Sequence, residues 1–321
     1  MTRDDGTLAR PGASADHGDM PIRRRVHPAA LVSLVAVAAI AGLTAYALAP
    51  AAALADAADD ARVIERPAAA AAPADAAAPA SASAHPADVA TYNTAALPLL
   101  DVTSITPALP VDDDPTGALT GQVAQPRGGG APVFAAPGQP PVGYLPRDHY
   151  YGGTTVPVVI AEEHWVKVLL PGRQGLPPAG DSSQLVGWLR TADVDLTRNE
   201  SYVEVHLAAH TIDIVTATGS ERVADMFAWG KPSTPTPSGR TFVMWTTVVP
   251  EFKYTEGHPV VYLGAQSPVM AGFDGGEVAV TAFHYYRERA GDTSFGCIYL
   301  DGPATDRLAQ LPAGTPVIIH P

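Results

Sequence analysis

Prolines and glycines interrupt this chain so often, 32 and 29 of them in 321 residues, that long helices and central strands have little room to form. Two outcomes fit such punctuation, an extended linker and turn-rich β structure, and the chain is expected to use both. Hydrophobic residues at 46% exclude a wholly disordered chain. Only 17% of residues are charged and the net charge is −13, so nucleic acid, which demands a basic patch, is not an expected partner. The single cysteine, Cys297, rules out an intrachain disulfide and a cysteine-rich metal cluster. Thiol chemistry is confined to that one residue, and neither a metal nor a cofactor is expected.

Residues 26–55 contain no Asp, Glu, Lys or Arg. Within them, 21 residues from Pro28 to Leu48 would form a helix roughly 31 Å long, matching the ~30 Å hydrocarbon core of a bilayer. Arg23, Arg24 and Arg25 precede this stretch, and Asp56, Asp59 and Asp60 follow it. The positive-inside bias therefore predicts a cytoplasmic tail over 1–25, a transmembrane helix over 26–55 and an extracytoplasmic remainder. Ala53-Leu54-Ala55 also reads as a small-residue cleavage site, which would make the same segment a removable signal peptide. Between Ala68 and Ala87, 13 of 20 residues are Ala and three are Pro, too broken for an isolated helix. A disordered Ala/Pro-rich linker is expected over 56–118.

From 119 to 198 the text becomes short apolar runs separated by Gly and Pro, among them PVFAAPG, VGYLP, TVPVVIAEEHWVKVLLPG and LVGWLRTADV. Runs of this length, rich in β-branched and aromatic residues, predict a small antiparallel barrel. The order of these pieces resembles a bacterial SH3-like domain, with Trp165 and Trp188 on its strands. Core packing explains both tryptophans without a ligand.

Residues 199–321 read as mostly β. Strands are expected near 201–209, 211–215, 222–227, 241–249, 260–263, 278–283 and 317–319, with one short helix near 303–311 opened by Pro303 and closed by Pro312. Cys297 lies in Thr293-Ser294-Phe295-Gly296-Cys297-Ile298, shortly after a strand ending in Phe283-His284. A lone cysteine outside the cytoplasm needs either burial as a small hydrophobe or a use for its sulfur. Gly296 permits close backbone approach, and a hairpin between His284 and Cys297 would bring the two side chains together.

These residues carry a resemblance. Thr234-Pro235-Thr236-Pro237-Ser238-Gly239 is similar to the Thr-Pro-x-Gly motif of L,D-transpeptidases of the YkuD type, and Ser294-Phe295-Gly296-Cys297-Ile298 resembles their Ser-His-Gly-Cys signature. The resemblance spans about the last 120 residues, and a membrane segment, spacer, SH3-like module and such a domain occur in that order among actinobacterial cell-wall enzymes. It implies a mainly β fold in which an SH3-like barrel precedes the catalytic domain. It also implies a cysteine acyl-enzyme acting on peptidoglycan stem peptides, anchored in the membrane or secreted to the cell wall, with carbapenem adducts at Cys297. The implied roles are nucleophile for Cys297, base for His284, support of the imidazole or the turn for Ser294, and oxyanion contact through the Gly296 and Cys297 backbone. Tyr254, in a flap over 245–258, would meet substrate together with Phe295, Arg287 and Tyr299.

Three departures set this chain apart from the pattern. Phe295 stands where the family has a second histidine, Tyr299 where Asn or Arg follows, and the spacing from His284 to Cys297 is short. Two alternatives stay open: a catalytically degenerate peptidoglycan-binding protein, and a sortase-like transpeptidase drawing on His206 or His210 with Arg307. Otherwise His149, His164, His206, His210 and His258 read as ordinary residues, and Arg289 as a solvated hairpin position.

Overall fold

The computed structural model describes residues 85–321 apart from Asp274. The tail, the apolar stretch over 26–55 and the linker up to residue 84 lie outside the described residues. Among the described residues no helix is long and apolar enough to cross a membrane.

Strands β1 (Gln122–Pro126), β2 (Gly130–Phe134), β3 (Pro141–Pro146), β4 (Val156–Ala161), β5 (Trp165–Leu170), β6 (Leu185–Arg190) and β7 (Val194–Arg198) form a seven-stranded sheet. Its spatial order is β3-β2-β6-β5-β4-β1-β7, and every pairing is antiparallel. The alternating runs of 119–198 thus form the strands their spacing predicts. Trp165 is fully buried, its ring 5.1 Å from that of Phe134 in an edge-to-face contact.

A ten-stranded sheet follows. It consists of β8 (Ser201–His206), β9 (Thr211–Thr216), β10 (Gly219–Ala224), β11 (Ala228–Gly230), β12 (Gly239–Thr247), β13 (Val260–Gln266), β14 (Val280–Tyr285), β15 (Gly291–Ser294), β16 (Ile298–Leu300) and β17 (Pro316–His320). The order is β10-β9-β8-β17-β12-β13-β14-β16-β11-β15. One helix, α1 (Gly302–Leu308), carries a Pro in its first turn and is capped by Asp301, whose side chain accepts from the Ala304 N–H.

Period-two alternation divides this sheet into two faces. Val243, Val261, Leu263, Phe283 and Ile298 point toward α1 and build one core with Leu308. Phe242, Met244, Val260, Tyr262, Ala282 and Cys297 point the other way and join the core of the seven-stranded sheet. The cysteine therefore sits on the face turned toward the first sheet.

Two expectations are corrected here. The linker expected up to residue 118 gives way from His85 onward to an ordered strap: Leu100, Val102 and Leu109 are buried in the first core, the Leu100 N–H donates to the Tyr144 carbonyl of β3, and the Tyr144 N–H donates to the Pro98 carbonyl. Trp165 Nε1 donates to the Pro86 carbonyl at 2.8 Å, and Gln266 Nε2 to that of Val102 at 2.8 Å. The apolar text Leu97-Pro98-Leu99-Leu100-Asp101-Val102 is what anchors it, and the alanine-rich composition upstream obscures that change. Second, no hairpin joins His284 to Cys297. Strands β14 and β16 run parallel, because the intervening chain first crosses to the sheet edge as β15, where it pairs with β11. A parallel return needs about a dozen residues of connection, and the stretch after Tyr285 supplies them.

Candidate active site

Four neighbouring strands bring the expected residues into two rows. Trp245 on β12 pairs with Tyr262 on β13, and Tyr262 with Ala282 on β14; Cys297, just before the first paired residue of β16, continues that row. In the second row Thr247 pairs with Val260, Val260 with His284, and His284 with Tyr299. Both rows occupy one face, so Cys297 and His284 are diagonal neighbours on adjacent strands, which lie ~4.8 Å apart.

Their environment is dry. Cys297 and His284 are 3% and 2% exposed. The Cys297 thiol lies 3.9 Å from the Val280 carbonyl and faces the Ala282 N–H, so the sulfur is turned toward the β14 backbone, and no hydrogen bond joins it to the imidazole among the described residues. His284 Nδ1 is 2.9 Å from the Tyr285 carbonyl. A carbonyl only accepts, so the Nδ1 nitrogen carries the proton and Nε2 keeps its lone pair. Burial pushes the Cys297 thiol up to about 11 and the His284 imidazole down to about 4. Both shifts favour the uncharged forms, a thiol and a neutral imidazole.

Ser294 braces the turn rather than the imidazole. Its Oγ donates to the Cys297 carbonyl at 2.5 Å and accepts from the Gly296 N–H at 3.1 Å. That bond engages the Gly296 N–H within the turn. Gly296 has φ 109°, a backbone conformation that L side chains rarely adopt, so glycine serves the conformation of the turn. The Thr-Pro segment supports the same turn: Thr234 Oγ1 and the Lys231 N–H both donate to the Ser294 carbonyl, at 3.2 and 3.0 Å.

Aromatic rings cover the pair. Tyr254, from the loop after β12, lies 5.4 Å from the His284 ring, Tyr299 lies 4.8 Å from it, and Tyr286 packs 4.6 Å from Tyr299. Burial raises the Tyr254 and Tyr299 phenols far above their ordinary value, and the proximity of Cys297 adds to this. The Tyr254 hydroxyl is buried with no hydrogen-bond partner among the described residues. Of the other expected contacts, Phe295 is half-buried, its ring capped by Lys231 Nζ at 3.8 Å. Arg287 points to solvent and pairs with Glu256 at 2.9 Å, which fits a flap contact better than a cleft wall.

Sequence reasoning missed Lys231, Trp245, Tyr262 and Tyr150. Trp245 and Tyr262 stack at 5.2 Å and 16°; their odd-even positions on two strands are a signal that only the register turns into a contact. Tyr150 comes from the loop after β3 and had no local signal.

Residues 200–319 match the YkuD family model, the L,D-transpeptidase catalytic domain. No curated protein matches. Solved structures similar to this chain include an L,D-transpeptidase from Mycobacterium smegmatis, at 16% identity over 49% of this chain and 91% of that one, TM-score 0.29. The catalytic domain of the E. faecium L,D-transpeptidase is 22% identical over 37% of this chain and 95% of its own, TM-score 0.26. L,D-transpeptidase 3 from Mycobacterium tuberculosis in complex with a faropenem-derived adduct is 14% identical over 49% and 92%, TM-score 0.28. At such scores the structural likenesses carry no argument, and the assignment of this domain rests on the match over 200–319.

Proposed function

We propose that this YkuD-type L,D-transpeptidase domain is a working cysteine acyltransferase on peptidoglycan stem peptides. The observation that carries the reading is the placement of Cys297 and His284 as diagonal neighbours on one face of β16 and β14, with the imidazole Nδ1 tied to a carbonyl and Nε2 left as acceptor. Once the flap bearing Tyr254 lifts and the sulfur swings from the β14 backbone, Nε2 takes the thiol proton as sulfur attacks the carbonyl before the terminal D-residue of a stem. The C–N bond breaks, and the proton passes from the imidazolium to the departing amine. A side-chain amine of a second stem then attacks the thioester, gives its proton to His284 and regenerates the thiol. The Cys297 N–H faces the developing oxyanion. Residues 26–55 would hold the enzyme at the outer face of the membrane or, if cleaved, release it to the wall, with the seven-stranded sheet as an SH3-like companion.

Incubation with a carbapenem, followed by intact-mass measurement, tests the reading. A covalent adduct on the wild type and none on Cys297→Ala is the expected result, together with release of the D-residue from a tetrapeptide. No adduct and no turnover would favour the second reading, a wall-binding protein that has lost catalysis, to which Phe295, Tyr299 and the turned-away thiol point.

A further inference from the structure

The row that ends at Cys297 does not stop at the sheet. Trp245 stacks on Tyr262, and the row continues from Tyr262 through Ala282 to Cys297. Beyond Trp245 the row is continued by the loop after β3, which belongs to the first sheet: Tyr150 and Tyr151 lie 5.7 and 6.1 Å from the Trp245 ring and 5.0 Å from each other. Tyr151 is 8% exposed and Tyr150 is 56% exposed. The loop is docked on the catalytic domain by its backbone, with the Gly153 N–H donating to the Met244 carbonyl at 3.2 Å. Gly152 allows that approach, because a Cβ there would stand 2.3 Å from the Met244 carbonyl oxygen.

The result is a row in which Cys297 and Ala282 lead to two aromatic side chains on neighbouring strands, Tyr262 and Trp245, and then to Tyr150 and Tyr151 on one inter-domain loop. At ~4.8 Å per strand, Trp245 stands about 14 Å along the row from Cys297, and Tyr150 extends it further. The row begins buried at the reactive sulfur and ends exposed on the other domain. No charged side chain interrupts the sequence Cys297, Ala282, Tyr262, Trp245, Tyr150. Only the exposed Tyr150 and the half-buried Trp245 offer ring surface to solvent, since Tyr262, Ala282 and Tyr151 are buried; a phenol beside an indole suits a ligand that is apolar on its ring faces and hydroxylated at its rim, the chemistry of a pyranose.

We propose that the solvent-facing end of this row, Tyr150 with Trp245, is a saccharide subsite for the sugar to which a stem peptide is attached, and that Tyr150, supplied by the loop after β3, is a substrate-positioning residue. The proposal rests on the stem-peptide reading of the site. It gives the first sheet a part in recognition: the donor is held at its peptide end by the flap and at its sugar end by Tyr150 and Trp245, and the domain of 200–319 alone holds only part of the subsite.

The test compares a free tetrapeptide with a disaccharide-tetrapeptide as acyl donors for the full chain. Tyr150→Ala should raise KM for the disaccharide form by about three- to tenfold, the range of one aromatic contact, with kcat and the free-tetrapeptide KM unchanged. Tyr150→Phe should restore the wild-type value. An equal loss on both donors, or no loss on either, overturns the proposal. Should the wild type turn over neither donor, binding of the two compounds to Cys297→Ala, read from tryptophan fluorescence, separates the issues. Tighter binding of the disaccharide form that Tyr150→Ala removes would uphold the subsite while the acyl-transfer reading fell; equal binding would overturn the subsite too.

Discussion

At the scale of single residues, the reactive pair is held back by solvation. His284 loses its charge to burial, its imidazole falling to about 4, and Cys297 keeps its proton up to about 11. The same shifts govern stability. A histidine whose folded value is depressed contributes stability that is present above its unfolded value of about 6.5 and is lost as pH falls through the folded value. Between about 4 and 6.5 the unfolded chain takes up a proton that the folded chain refuses, an effect worth about 3 kcal/mol. For the thiol the sign reverses: its contribution is complete below the unfolded value and fades as pH rises toward 11. Urea unfolding of the wild type should therefore weaken from pH 7 to pH 5, and His284→Asn should flatten that slope. An unchanged slope would mean that the imidazole already titrates freely in the fold. That Cys297, His284 and Ser294 lie close together is legible in sequence, because a lone cysteine, a strand-end histidine and a serine in a Gly-Cys turn are chemically distinctive. The direction of the sulfur and the use of the Gly296 N–H are not, since both depend on which backbone group the fold happens to set beside them.

Among the elements, the loop between β12 and β13 decides access. Tyr254 stands over His284, and the loop is fastened at its far side by two surface pairs, Glu256 to Arg287 at 2.9 Å and His258 to Asp306 at 2.8 Å. Glu256 holds a left-handed backbone at φ 52°, which turns its carboxylate toward the β14–β15 connection. Exposed pairs of this kind contribute little to global stability. They bear instead on the local opening that a 3%-exposed thiol requires before it can react. Arg287→Ala should leave the thermal midpoint nearly unchanged while raising the rate of Cys297 alkylation by iodoacetamide, by less than about fivefold. Alkylation at the wild-type rate would show that opening proceeds without breaking this contact. Most strands are legible because period-two alternation is strong in 201–216 and because the runs at 241–247 and 260–263 are rich in β-branched and aromatic residues. The short β11, β15 and β16 are not, having three or four residues each, too few for a period to register. Their absence is what turns the parallel crossover into an apparent hairpin.

Over the whole molecule, the strap of residues 85–118 is the part that composition misplaces, and it also joins the two sheets. Asp112 in the strap pairs with Arg240 on β12 at 2.7 Å, with side chains 2% and 4% exposed. Arg240 donates through two nitrogens to both carboxylate oxygens and adds a bond to the Ala118 carbonyl. A buried bidentate pair of this sort need not add net stability over an apolar substitute, yet removing one partner leaves an uncompensated charge in a dry site. Arg240 directly follows the Thr-Pro-Thr-Pro-Ser-Gly segment whose earlier residues brace the Ser294 turn, so the strap and the cysteine are linked through one short stretch of β12 and its approach. Asp112→Ala should cost about 3–5 kcal/mol, whereas replacing Asp112 and Arg240 together by leucine and methionine should recover most of that loss. Chemical denaturation of the two variants measures both figures. A chain beginning at residue 85 should unfold with the wild-type midpoint of its folded part, and one beginning at residue 119 should not, because Leu100, Val102 and Leu109 would leave the first core open to water. Equal midpoints for the two truncations would return the strap to the status of a spacer.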